Sequence, residues 1–150
     1  MRSTPRAFSA TAGATLAIAV GVAGCGGDDG PTRAEYVKEA NAICKRHYEK
    51  ISAAASKLLA GGQLPSPQEF GRLAMGTIIP EYEAQIGELR DVEAPEERAD
   101  AHRKWLDDSE ALKTRVERNP VLIQRQPELA AVNGQADRLG LDDDCHIGPG

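Results

Sequence analysis

The stretch from Thr32 to Ala60 constrains the fold most, because its residue spacing suits one long amphipathic helix and little else. Thr32-Arg33-Ala34-Glu35 has the form of a capping box, in which the threonine hydroxyl takes an N–H of the first turn and the glutamate reaches back to the cap. Tyr36/Val37, Ala40, Ile43/Cys44, Tyr48 with His47 beside it, Ile51, Ala55 and Leu58/Leu59 then recur at three- and four-residue intervals. Lys38, Glu39, Lys45, Arg46, Glu49 and Lys50 fall on the other side, and Gly61-Gly62 ends the run.

Three further helical segments follow. Ser66-Pro67-Gln68-Glu69 repeats the start signal, with proline at the first helical position, and Phe70, Leu73, Ala74, Ile78, Tyr82, Ile86 and Leu89 carry an apolar stripe to about Asp91. Pro80 lies inside that stripe and must kink or interrupt it, since it has no N–H to give. Ala94-Pro95 opens a third helix with Glu96 and Glu97 in its first turn, where the helix dipole favours acids. Ala99, His102, Trp105/Leu106, Ser109, Leu112 and Val116 form its inner stripe, and Asn119-Pro120 stops it. A fourth, weaker pattern runs from about Pro127 to Leu139, with Gly140 as its stop. Aromatics are few and alanine is plentiful, which also favours helices over a sandwich of strands. The expected fold is an all-α, four-helix up-down-up-down bundle with a kinked second helix.

The N-terminus reads as an export signal. Met1 to Arg6 is short and basic, Ala7 to Ala23 is apolar and uncharged, and the run meets Val22-Ala23-Gly24-Cys25. That last tetrad resembles the bacterial lipobox, in which cleavage before the cysteine exposes a thiol that takes a diacylglycerol. Residues 1–24 are therefore expected to be a lipoprotein signal peptide, Cys25 the lipidated residue, 25–31 a Gly/Asp-rich flexible tether and 32–150 the folded domain. Several acyl chains, at about 0.8 kcal/mol per buried CH₂, hold a protein to a membrane without a spanning helix. The expected location is the extracytoplasmic face of the cell membrane, an oxidising compartment. With Cys25 acylated, Cys44 and Cys145 remain and can pair; in an up-down-up-down bundle the last segment returns to the early turns of the first helix, where Cys44 lies.

Charge narrows the partners. Acids outnumber bases 23 to 18, and the imbalance widens once Arg2 and Arg6 leave with the signal peptide. Phosphate backbones demand clustered Lys and Arg, whereas Lys45 and Arg46, Arg103 and Lys104, and Arg115 and Arg118 are interleaved with acids, so no nucleic-acid partner is expected. The expected partners are the membrane, through the anchor, and an envelope protein or a small ligand.

Tyr36-Val37-Lys38-Glu39-Ala40-Asn41-Ala42-Ile43-Cys44, the Leu89 to Pro95 segment, and Gly140-Leu141 leading to Cys145 make the sequence similar to small, mostly uncharacterised lipoproteins of actinobacteria. The resemblance implies an exported helical domain with a disulfide between the two matching cysteines. It brings no activity and no ligand residues.

No constellation of catalytic type stands out. His47 and His102 sit on helices able to face one another, but neither a Cys-x-x-Cys-His motif nor a Glu-x-x-His pair accompanies them, and each reads as a boundary histidine satisfied by a neighbour. Asp142-Asp143-Asp144-Cys145-His146 reads as a solvated turn rather than a metal site, since adjacent residues seldom converge on one ion. Glu81, Glu83, Glu88 and Asp91 read as an exposed face without a proton-transfer partner. Ser52, Ser56 and Ser109 lack a nucleophile-elbow or Ser-x-x-Lys setting. The expectation is thus a non-enzymatic binding or scaffolding module with no cofactor and no metal. The alternative is a small-ligand carrier, with a pocket opened by the Pro80 bend between the second and third helices and lined by Tyr82, His102 and Trp105.

Overall fold

A computed structural model describes residues 30–62, 64–124 and 126–148; the leader and Cys25 lie outside them. The chain is all-helical, with no strand among the described residues, and Cys44 is bonded to Cys145. No described helix is long and apolar enough to cross a membrane.

Helix α1 spans Arg33–Leu59 and opens with the capping box read from the sequence. The Thr32 hydroxyl accepts from the Glu35 N–H at 3.3 Å, and the Glu35 carboxylate accepts from the Thr32 N–H at 2.9 Å. Tyr36, Ala40, Ile43, Cys44 and His47 are buried along one face. Beyond His47 no residue of α1 is fully buried, although the apolar stripe continues.

Helix α2, Pro67–Leu73, starts from a second capping box at Ser66 and Glu69 and buries none of its residues. A π-helical segment, Ala74–Ile78, joins it to α3, Ile79–Arg90, whose second residue is Pro80. An α-helical proline ring would strike the carbonyl four residues back, and the wider π turn, in which the Ile79 N–H reaches Ala74 O, moves that carbonyl away. The stripe through Pro80 thus runs as α2, a π-helical segment and α3.

Helix α4, Glu96–Arg118, follows Pro95 and buries His102, Trp105, Leu106, Ser109, Leu112 and Val116, the stripe read from the sequence. A 3₁₀ turn, Pro120–Gln124, leads to α5, Gln126–Leu139, which turns Leu129, Val132, Ala136 and Leu139 inward. Gly140, at φ 83°, ends α5: the Leu141 N–H returns to Ala136 O at 3.1 Å, the long bond of a Schellman stop. The Arg33 guanidinium lies over Gly140, 3.0 Å from where a Cβ would stand. Gly140→Ala is expected to cost about 1 kcal/mol, from left-handed backbone and crowding together. Urea unfolding checks this, and an unchanged midpoint would contradict it.

The segment after Gly140 is a strap across the helices. Asn41 Oδ1 of α1 accepts from the Asp142 N–H at 3.0 Å, and Cys145 is bonded to Cys44 with 4.8 Å between Cα atoms. Asn133 of α5 pairs with both the N–H and the carbonyl of Ile147, at 2.9 and 3.1 Å. The Tyr82 hydroxyl of α3 accepts from the Gly148 N–H at 2.8 Å and donates to His146 O at 3.2 Å. Asp142 and Asp143 face solvent while Cys145 and Ile147 are buried, so the acidic turn floats on an anchored backbone.

Candidate functional site

The unburied second half of α1 forms one wall of an apolar concavity. Tyr48, Ile51, Ser52, Ala55, Leu58 and Leu59 face Pro65, Phe70 and Leu73 across a groove of about 450 Å³, with Ile78, Tyr82, Ile123 and Gly148 also lining it. Seven-residue α2 is too short to bury the stripe, which leaves Leu59 more than half exposed. The other large exposed apolar residues are Tyr48, Leu64, Met75 and Val121; Tyr48 lines the groove and the rest stand within two residues of a lining position. Among the described residues no Lys, Arg, Asp, Glu or His lines it. The groove therefore suits an uncharged, apolar guest, with hydroxyls at Tyr48 and Ser52 as its polar points.

Only one of the three residues expected to line a pocket does so. Tyr82 reaches the groove, but its hydroxyl is occupied by the strap, and burial pushes the phenol up to about 12, keeping it neutral. His102 and Trp105 are core residues instead. His102 Nε2 donates to Leu89 O at 3.0 Å, which leaves Nδ1 to accept from the Tyr36 hydroxyl at 2.9 Å. Trp105, 2% exposed, is the largest fully buried side chain and lies 6.0 Å from the His102 ring, centroid to centroid. The concavity opens between α1 and α2 rather than between α3 and α4. The π segment absorbs Pro80 without parting α3 from α4, which pack closely and are linked by Arg90 to Asp107 and Glu110 and by Lys113 to Glu83.

The acids of α3 also differ from expectation. Glu81 and Glu88 flank the buried ring of His47: Nδ1 lies 2.7 Å from Glu81 and Nε2 3.2 Å from Glu88. Lys50 joins Glu81 at 2.9 Å and Arg46 joins Glu88, so a charged seam ties α1 to α3. Acids seven residues apart share a face of a helix, and that spacing was the available signal. The hydrogen bond from Lys50 holds the Glu81 carboxyl below its usual range; burial raises that of Glu88, but His47 and Arg46 outweigh it. His47 is 2% exposed with a carboxylate at each nitrogen, an arrangement that locks helices and leaves the ring no open face toward a substrate.

His146 is placed in the same manner. Its Nε2 meets Asp137 at 2.8 Å and its Nδ1 faces Asp143 at 3.8 Å. These ligand atoms lie within 4.8 Å of one another, yet the two carboxylates address opposite nitrogens of one ring, which suits a polar tie between α5 and the strap better than a shared metal. Ser109 donates to Trp105 O at 2.7 Å within its own helix.

Acid is expected to weaken the fold in two stages. Burial lowers the proton affinity of His102 below that of a free histidine, so the unfolded chain binds more protons once the pH falls below about 6.5. The depressed carboxyls of Glu81 and Glu88 contribute stability that is present above the unfolded glutamate value and is lost as pH falls through their lower folded values. Urea unfolding at about pH 7.5 and about pH 5.5 isolates the first stage. The wild-type domain loses stability between them by more than His102→Gln does; an equal loss in both would contradict the assignment.

No protein-family model, curated protein or solved structure matches the chain.

Proposed function

We propose that the chain is a non-enzymatic binding module, held on the outer face of the cell membrane by an acylated Cys25 and presenting the α1–α2 groove to its partner. The groove carries this reading: a concavity of about 450 Å³ with apolar walls and, among the described residues, no ionisable lining beyond tyrosine hydroxyls suits binding rather than proton transfer. The lipobox-like Val22-Ala23-Gly24-Cys25 supports the anchor, and the likeness to actinobacterial lipoproteins supports the same setting. In this reading the helices run up-down-up-down with the second bent at Pro80. The successive packing of α1 on α3, α3 on α4 and α4 on α5, through short connections, supports that course. A second reading, a small-ligand carrier, uses the same groove, whose volume falls in the range of small-molecule sites.

Photo-crosslinking in the native envelope tests it. A photoreactive residue at Ala55 should give a discrete adduct, with a protein under the first reading and a small molecule under the second, while one at exposed Lys38 should not. Equal labelling from both positions would sink the groove as the binding surface. The anchor is tested separately: incorporation of a labelled lipid precursor should vanish in Cys25→Ser, and its survival would remove the membrane from the proposal.

A further inference from the structure

The cleft between α4 and α5 has chemistry opposite to that of the groove. It encloses about 400 Å³ and is lined by Glu97, Arg98, Ala101 and Lys104 of α4 with Gln135, Arg138 and Leu139 of α5. Among the described residues three cations thus stand against two carboxylates, Glu97 and the Asp108 that bonds Lys104, in a chain whose net charge is −5. Arg98 is fixed there by the fold: its Nη1 donates to the carbonyls of Arg138 and Leu139, at 3.1 and 3.3 Å, at the electronegative end of α5. The Arg138 guanidinium lies back along its own helix, 3.5 Å from the Cβ position of Gly134, a residue that has no side chain to displace it. Lys104 and Gln135 both bond Asp108, at 2.8 and 2.6 Å, which sets their positions on the two walls.

Two polar atoms of these lining residues have no partner among the described residues, and both are closed to water. Arg98 Nε has a proton to give, and Gln135 Oε1 has a lone pair to fill. A buried polar atom left unpaired costs about 1–3 kcal/mol, so an occupant with both functions gains if the Gln135 amide and the Arg98 guanidinium turn toward the cleft to meet it. Phosphate or sulfate would answer the arginines and leave Gln135 Oε1 and Glu97 facing an anion. A nucleotide base would find no aromatic surface among the lining residues to stack on.

We propose that this cleft binds a small amino acid as its zwitterion. Carboxylate groups meet Arg98, Arg138 and Lys104, and the ammonium group meets Glu97 and Gln135 Oε1, with the side-chain adjustment that binding commonly brings. The excess of cations over acids selects an acidic amino acid, which carries two carboxylates and one ammonium. The site is separate from the groove and does not depend on what the groove binds.

Calorimetric titration of the Cys25→Ser chain, with its disulfide intact, tests this with L-glutamate as the probe. Saturable binding is expected, at least about tenfold tighter than that of glutarate, which lacks the ammonium, and of inorganic phosphate. Arg138→Gln and Glu97→Gln should each weaken glutamate binding about tenfold while leaving the thermal midpoint within about 2 °C. Arg98→Gln is less informative alone, because that guanidinium also caps α5. Absence of saturation at about 10 mM glutamate would overturn the proposal, as would equal affinity for glutarate or phosphate.

Discussion

Replacing Cys44 and Cys145 together by alanine is expected to lower the stability of the domain by about 4 kcal/mol. The bond joins residues 101 apart, and in the chain-entropy account the closure of a loop of that size limits the unfolded ensemble by roughly 4–5 kcal/mol. For a domain near this size the loss corresponds to a fall in thermal midpoint on the order of 20 °C. Calorimetry of the double variant beside the oxidised wild type measures it, with thiol titration under denaturing conditions as the companion: the Cys25→Ser chain should show no free thiol until reduced. A midpoint shift below about 5 °C would mean that the strap's other bonds, from Asn41, Asn133 and Tyr82, already restrict the segment as fully as the covalent link does.

Trp105→Ala is expected to rank beside it, at about 3–5 kcal/mol, because the largest buried side chain would leave a void in the core that the surrounding helices cannot fully close. The same substitution should leave crosslinking from Ala55 unchanged in any preparation that stays folded, since the indole does not line the groove. Urea unfolding gives the first quantity. Loss of the Ala55 adduct at full helicity would show that Trp105 belongs to the binding surface after all.

Features with local causes were the legible ones. Thr32 with Glu35 and Ser66 with Glu69 placed two helix starts to the residue, because a capping box is completed within four positions of chain. Gly140 placed the end of α5 for the same kind of reason, a backbone angle that other residues resist. The Cys44–Cys145 bond was reached by counting, once Cys25 had been assigned elsewhere.

What the sequence concealed depends on helix length and rotation. Periodicity showed that Ile51, Ala55 and Leu58 share an apolar face with Tyr36 and Ile43, but not that the opposing helix would stop being α-helical after seven residues and leave them half covered. His102 and Trp105 follow the same spacing whether they face a void or a filled core. Both are buried in the core, and the π segment ahead of Pro80 is a form of helix that a lone proline does not announce. Glu81 and Glu88 were visible as one face of α3, yet their pairing with His47 required the rotation of α3 against α1, which no single helix encodes.

The strap also fixes the order in which the molecule can be completed. Its residues leave the ribosome after the helices that they clasp, α1, α3 and α5. Until they arrive, Cys44 has no partner in the folded arrangement, and the inner face of α1 lacks the buried cover of Cys145. Closure of the domain therefore waits for the strap to emerge, an order that would suit the proposed export of the chain in extended form. Truncation before Asp142 should then yield a product that is helical but loosely packed, and readily degraded by proteases.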